Sequence, residues 1–246
     1  MVDTLFIDGI WEKEIVLGKE VLEFFAKAKV KSVGLFASVQ FLKLETVRDQ
    51  LDQAGITVKE TKAKRTHAAT QVLGCDAYHD SYSDSIIDDV DAILYIGDGL
   101  FHPKALLLSQ AAQKSVSDII IWDPVSSLMK TLGMNDIEQQ WKRREANLKR
   151  FIAAETIGIL VTIKPGQQYL HLAEKLRADL VNSGKKAYVF IDNTIDISLF
   201  ENYPFIDAWV NTACPRIGMD DIVNVKQPLV NIREAFDPVK ALEELA

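Results

Sequence analysis

Short apolar runs alternate with amphipathic stretches along most of this chain. Ser32-Val-Gly-Leu-Phe-Ala37 is an unbroken apolar run of strand length, and residues 41–54 after it place Leu44, Val47, Leu51 and Ala54 on one helical face. Gly55 stands in the usual stop position, and Ile56-Thr-Val58 is the next strand. A polar, basic loop over 62–70 leads to Cys75. Further strands are expected at Asp91-Ala-Ile-Leu-Tyr-Ile96 and Asp118-Ile-Ile-Ile-Trp122, with a helix opening at Phe101-His-Pro103 between them. A long, charged helix is expected over 136–154. Ahead of all this, Thr4-Leu-Phe-Ile-Asp8 reads as a strand. Ile15, Val16, Val21, Leu22, Phe24 and Phe25 then predict a helix over 13–29.

The pattern then repeats. Thr156-Ile-Gly-Ile-Leu-Val-Thr162 echoes Ser32-Val-Gly-Leu-Phe-Ala-Ser38, and each leads through a polar turn into an amphipathic helix. In the second copy the turn is Lys164-Pro-Gly-Gln167 and the helix ends at Ser183-Gly184. Tyr188-Val-Phe-Ile191 and Ile206-Asp-Ala-Trp-Val-Asn211 match the earlier strands at 56–58 and 90–95. Strands and helices at this spacing imply parallel βαβ units. The expected fold class is α/β, as two related domains with parallel-rich sheets flanked by helices, 1–150 and 151–246.

Composition mainly narrows the partners. The net charge of −7 lacks the basic field that general nucleic-acid binding needs. No apolar run approaches the roughly 20 residues of a membrane span. The N-terminal residues have neither the basic nor the apolar region of a signal peptide. Two cysteines make no disulfide framework, so the expected location is cytoplasmic.

Those cysteines are the first candidates for chemistry. Each lies in a loop punctuated by glycine or proline beside a strand end, rather than inside an apolar run: Val72-Leu-Gly-Cys75 and Asn211-Thr-Ala-Cys-Pro-Arg216. Ligands of open α/β sheets sit beyond the carboxyl ends of strands. A buried apolar thiol is the ordinary alternative. Zinc is disfavoured, because no Cys-x-x-Cys or His-x-x-x-His pair completes a site, while a shared iron–sulfur site with one thiolate per domain stays open. Gly97-Asp98-Gly99 with His102 has the place of a ligand loop, but lacks the glycine spacing of the dinucleotide fingerprint and reads equally as a tight turn. Gln167 precedes a helix whose N-terminus offers N–H groups to a carboxylate. His79 reads as a catalytic or a solvated histidine, His67 and His171 as surface residues, and Asp220-Asp221 as a cap or as partners that orient Arg216.

Four stretches together resemble one family: Gln71-Val-Leu-Gly-Cys75, Ile96-Gly-Asp-Gly-Leu-Phe-His-Pro103, Ile163-Lys-Pro-Gly-Gln167 and Asn211-Thr-Ala-Cys-Pro-Arg216. They resemble the diphthamide synthases, the 2-(3-amino-3-carboxypropyl)histidine synthases of archaea and eukaryotes, in order and spacing. The resemblance implies a fold of three related α/β domains, each giving one cysteine to a 4Fe-4S cluster. It also implies radical transfer of an aminocarboxypropyl group from S-adenosylmethionine to a histidine of translation elongation factor 2. By that resemblance Cys75 and Cys214 are metal ligands. Gly97, Asp98, Gly99, His102, Gln167 and Arg216 are the expected cofactor-binding residues. The two domains match the family's second and third, with residues 1–12 as a remnant of the first. A chain so built is expected to work as a homodimer, or as a heteromer with a cysteine-complete relative. Its expected apolar contact surface runs over Thr4 to Trp11 and Val21 to Phe25. A non-catalytic docking subunit and a diverged S-adenosylmethionine-binding protein are the alternatives.

Overall fold

The computed structural model describes residues 9–84, 86–110, 116–220, 222 and 225–245, with the side chain of residue 86 set aside. The chain forms two compact units, Met1–Asp136 and Ile137–Ala246. In the first unit the elements run α1 (Lys19–Ala28), β1 (Ser32–Ala37), α2 (Glu45–Gln53), β2 (Thr57–Lys59), β3 (Ala92–Ile96), α3 (Phe101–Leu108), β4 (Ile119–Asp123) and β5 (Leu128–Leu132). The second unit holds α4 (Glu138–Ala153), β6 (Thr156–Thr162), α5 (Leu170–Asn182), β7 (Lys186–Asp192), β8 (Ala208–Asn211), β9 (Leu229–Asn231), α6 (Ile232–Phe236) and α7 (Pro238–Glu243). The long charged helix α4 therefore belongs with the sheet that follows it.

Each unit is built on a parallel-rich sheet, and the two share one strand order. The first runs β2-β1-β3-β4-β5 and the second β7-β6-β8-β9. In both, the second strand returns to one side of the first and the third goes to the other. Every pairing is parallel except β4 with β5. The repeat extends to a side-chain device. Asp91 Oδ2 accepts from the backbone N–H groups of Lys31 and Ser32 at 2.9 Å each. Asp207 Oδ2 accepts from Glu155 and Thr156 at 3.2 and 2.8 Å. In each unit an acid just ahead of the third strand clamps the start of the first.

Those bonds, first the Lys31 N–H and then the Ser32 N–H and hydroxyl, hold the exposed Asp91 carboxyl below the usual range. A depressed carboxyl stabilises the fold above its unfolded value of about 3.9, and the contribution is lost as pH falls through the lower folded value. Asp91→Ala should therefore lower the urea midpoint at neutral pH, and the gap to the wild type should close under acid. A gap that stays constant down to pH about 2 would show that the carboxylate is not the stabilising group.

The N-terminal segment differs from the expected long helix. Ile15 and Leu17 are buried while Val16 between them is 48% exposed, an alternation of period two that belongs to extended chain. The Gln50 side-chain amide takes up this backbone, accepting from Leu17 N–H at 2.7 Å and donating to Leu17 C=O at 3.2 Å. The helix starts only after Gly18. Its apolar face is not an open surface: Val21 and Phe25 are fully buried in the unit's own core, and Leu22 and Phe24 pack against it. Trp11 lies against Phe41 at 5.8 Å. The expected apolar face over Val21 to Phe25 is thus covered from within, while the strand expected at Thr4 to Asp8 lies outside the described residues. Among the described residues, no helix is long and apolar enough to cross a membrane.

Candidate functional site: two cysteine loops at the carboxyl edges of the sheets

In the first unit, residues 70–72 run alongside the end of β1. Ala37 N–H donates to Thr70 C=O at 2.8 Å and Val72 N–H to Ala37 C=O at 3.0 Å, a parallel bridge between Ala37 and Gln71. The Gln71 side chain accepts from the N–H groups of His67 and Ala68, closing the basic loop onto itself. Cys75 follows, half-buried, beyond the carboxyl end of the sheet. A guanidinium nitrogen of Arg65 reaches its sulfur at 3.4 Å, a cationic setting that suits a sulfur ligand.

Next to it Asp76 is fully buried, its Oδ2 accepting from Leu73 N–H at 2.8 Å. Burial pushes this carboxyl up, against the downward pull of the Leu73 N–H and the Arg65 charge. Tyr82, edge-on to Phe36, donates its hydroxyl to the Asp76 backbone carbonyl at 2.9 Å. The loop is thus braced on both sides of the sulfur.

The Gly97-Asp98-Gly99 loop adjoins it. Gly99 has φ of 66°, and a Cβ at Gly97 would meet the Tyr95 hydroxyl at 2.5 Å, so glycine is required at both places for different reasons. His102 lies parallel to Tyr95 with ring centroids 6.4 Å apart. Phe101 covers Gly74 so closely that a Cβ there would sit 1.9 Å from the ring. The turn at 97–102 and the Cys75 loop therefore share one surface of the first unit. Burial pushes the Tyr95 hydroxyl well above the usual phenol range, with Ser38 pulling down and the Asp98 charge pushing up, so this group stays a neutral phenol.

In the second unit the Cys214 loop is built on buried amides. Thr212 ties the end of β8 to Leu160 of β6 through its N–H at 3.1 Å and its hydroxyl at 2.8 Å. Asn211 donates to the Cys214 carbonyl and to Asn231 Oδ1, both at 2.8 Å, and Asn231 donates to the Pro215 carbonyl at 2.9 Å. Asn231 also caps α6 in a reciprocal box with Glu234, whose other oxygen receives Arg144 at 2.6 Å. Gly218 lies so close to Asn231 that a Cβ would stand 2.3 Å from Oδ1. Five buried polar groups thus hold the loop, and Cys214 itself is left half-exposed. Arg216 is buried and bonded to Asp220, its Nε 2.8 Å from Oδ2, so its charge is engaged within the loop. Asp221 lies outside the described residues.

Comparison with known proteins decides the family. Residues 3–243 match the family model described as "Putative diphthamide synthesis protein". The chain belongs to this diphthamide synthesis family. The 2-(3-amino-3-carboxypropyl)histidine synthase of Pyrococcus horikoshii is 28% identical over 235 residues, 95% of this chain and 64% of that protein. Subunit 1 of the corresponding synthase of Caenorhabditis elegans is 27% identical over 81% of this chain and 48% of its own length. A crystal structure of Dph2 from Pyrococcus horikoshii with a 4Fe-4S cluster shares the fold with a TM-score of 0.70 and 26% identity, over 93% of this chain and 61% of that one. The chain thus spans about two thirds of the Pyrococcus protein that it matches, and about half of the Caenorhabditis one.

The other expected site residues fall as follows. Gln167 is half-buried in a turn, its N–H donating to Lys164 C=O at 3.1 Å, with Gly166 at φ of 76°. Two residues separate it from α5, so the helix N-terminus does not follow it directly. His79 is half-exposed and paired with Asp88 at 2.9 Å. Reading the residues alone did not single out Arg65, Asp76, Asn231 or the Arg144–Glu234 pair. Only an acid directly after a cysteine hinted at one of them.

A 4Fe-4S cluster is ordinarily held by about three or four protein thiolates. The 246 residues hold two cysteines, one in each unit. Among the described residues, no three His, Cys, Asp or Glu side chains stand together as metal ligands.

Proposed function

We propose that this chain acts in diphthamide biosynthesis, as a subunit for transfer of a 3-amino-3-carboxypropyl group from S-adenosylmethionine to a histidine of translation elongation factor 2 by a radical route. It works with a second family chain, a copy of itself or a cysteine-complete relative, that supplies the remaining cluster ligands. Cys75 and Cys214 are its contribution to that cluster. Gly97, Asp98, Gly99, His102 and Gln167 face S-adenosylmethionine, with Arg216 bracing the second cysteine loop. The two domains correspond to the family's second and third.

The observation that supports this most is the construction of the two cysteine loops. A thiol kept only for packing would be buried, yet both are half-exposed on loops held by buried hydrogen bonds. The names of its relatives point to the same chemistry. The protein's part is to present each sulfur in a fixed place and, through Arg65, to set a cation beside one of them.

The presence of two cysteines in these 246 residues also favours a second reading, a non-catalytic subunit that docks the synthase or its substrate. One experiment separates the two. The chain is mixed anaerobically with a cysteine-complete relative, elongation factor 2 and S-adenosylmethionine, and iron content and modified histidine are measured. Under the first reading the mixture gains both, and Cys75→Ala and Cys214→Ala each remove the gain. If both variants support the full gain, the chain is a docking subunit.

A further inference from the structure

The sheet of the second unit ends on an open strand. β7 lies at the edge of the order β7-β6-β8-β9, and with seven residues it is the longest of the edge strands. The others are short or guarded: β2 and β9 have three residues each, and β5 carries Lys130 at its centre. Natural sheets blunt their edges with lysine, proline, bulges or short strands, because unpaired backbone groups invite another chain. Residues 187–191 of β7, Ala-Tyr-Val-Phe-Ile, hold no lysine or proline, and their register with β6 runs without a bulge. We propose that β7 pairs antiparallel with β7 of a second copy about a twofold axis at Val189, joining two four-stranded sheets into one. This goes beyond the function proposed above and does not depend on it.

The backbone decides which groups are open. Lys186 N–H donates to Glu155 C=O at 2.8 Å, and Ile163 N–H to Asp192 C=O at 3.1 Å. Both ends of β7 thus turn their backbone groups toward β6, and by the alternation of a strand so do Tyr188 and Phe190. Ala187, Val189 and Ile191 point theirs outward, where the sheet has no further strand. A twofold axis at Val189 maps this set onto itself. Val189 meets Val189 of the second copy, and Ala187 meets Ile191 of the second copy. Each such pair exchanges two bonds, giving about six across the seam.

The charges select the same register. Lys186 stands exposed at one end of the strand and Asp192 at the other, and among the described residues neither is in an ion pair. With the axis at Val189, each Lys186 lies opposite Asp192 of the second copy, at both ends of the seam. An axis at Tyr188 would set Lys186 opposite Phe190, and an axis at Phe190 would set Asp192 opposite Tyr188. Parallel pairing in register would set lysine against lysine and aspartate against aspartate. Opposite charges directly across two strands stabilise the pair, and like charges weaken it.

The apolar residues fit as well. Tyr188 and Ile191 are both exposed, on opposite faces of the strand. In this register Tyr188 lies opposite Phe190 of the second copy, an aromatic pair of the kind that stabilises sheets. Phe205, also exposed, meets Tyr188 edge-on at 5.8 Å and widens the apolar face beside the seam. The contact is isologous, so it closes at two chains, and the outer edges of the joined sheet are the buried β9 strands.

Sedimentation velocity of the full chain over a range of concentrations tests the pairing, with circular dichroism to confirm the fold of each variant. The wild type should show a concentration-dependent dimer. Its Ala187, Val189 and Ile191 amides should exchange more slowly as the dimer forms, while the Tyr188 and Phe190 amides, directed at β6, should not change. Lys186→Asp and Asp192→Lys should each weaken the dimer by about tenfold or more, since each sets like charges at both ends of the seam. The double variant Lys186→Asp, Asp192→Lys puts opposite charges back and should recover the wild-type affinity. A chain that is monomeric at every concentration overturns the proposal and leaves the edge to a different partner. A dimer that both single variants leave unchanged, or that the double variant fails to recover, overturns it as well.

Discussion

Arg144→Met is expected to lower the unfolding free energy of the second unit by about 3–5 kcal/mol, the usual cost of removing one member of a buried ion pair. Both side chains are only 5% exposed, and 90 residues separate Arg144 from Glu234 in the chain. Glu234 cannot simply turn to water, because its other oxygen is committed to the N–H of Asn231 at the start of α6. The effect should reach the candidate site. Asn231 holds the Pro215 carbonyl and the Asn211 amide, which in turn holds the Cys214 carbonyl. Cys214 in the variant should therefore react faster with a thiol reagent, while Cys75, in the other unit, should not. The double variant Arg144→Met, Glu234→Gln should recover much of the stability. It removes the stranded charge, and a glutamine at that position still accepts from the cap. A loss below about 1 kcal/mol would mean that solvent reaches the pair and screens it.

Trp209→Ala should cost a similar amount, about 3–5 kcal/mol, as large-to-small changes at buried aromatics do. Trp209 is 1% exposed and is packed by Phe190, Phe200 and Tyr203. The backbone of Gly158 lies so close that a Cβ there would stand 2.4 Å from the ring. Truncation would leave a large void on the sheet face over β6 and β8, beneath Phe190, Phe200 and Tyr203, and the paired strand backbones cannot close over it. Hydrogen exchange of the β6 and β8 amides should accelerate strongly. Trp209→Phe should lose less, since a ring remains and the Gln227 amide still donates to the Ile206 carbonyl. Unchanged protection in Trp209→Ala would show that the neighbouring rings refill the space.

Much of the fold was legible because its central strands are buried on both faces. Such strands read as unbroken apolar runs, and β1 and β6 start and end where Ser32-Val-Gly-Leu-Phe-Ala37 and Thr156-Ile-Gly-Ile-Leu-Val-Thr162 do. The repeat was legible for the same reason, and strand order 2-1-3-4 recurs in both units. What could not be read were elements without that signature. β5 is an antiparallel edge strand whose residues are mostly exposed, so neither a continuous run nor a clean alternation marks it. β9 is three residues long, too short for any period to show. The extended stretch through Ile15 and Leu17 passed for helix because its spacing merges with that of Val21 and Phe25. Only the Gln50 amide and Gly18 divide the two.

The candidate site divides along the same line. Residue order alone marked Cys75, Gly97, Gly99, Gln167 and Cys214, since loops rich in glycine and proline after strands are where open α/β sheets put their chemistry. The tertiary structure decided what surrounds them. It brought Phe101 over Gly74, set Arg65 against the Cys75 sulfur and turned the Arg216 charge onto Asp220. It also joined Arg144, Glu234, Asn231 and Asn211 into one buried chain of hydrogen bonds behind Cys214. Local pattern records which face of an element is apolar and where the backbone must turn. A hydrogen-bond partner 90 residues away is chosen only when strands pair and helices pack, because a buried polar group must then find whichever complementary group the fold has placed within about 3 Å.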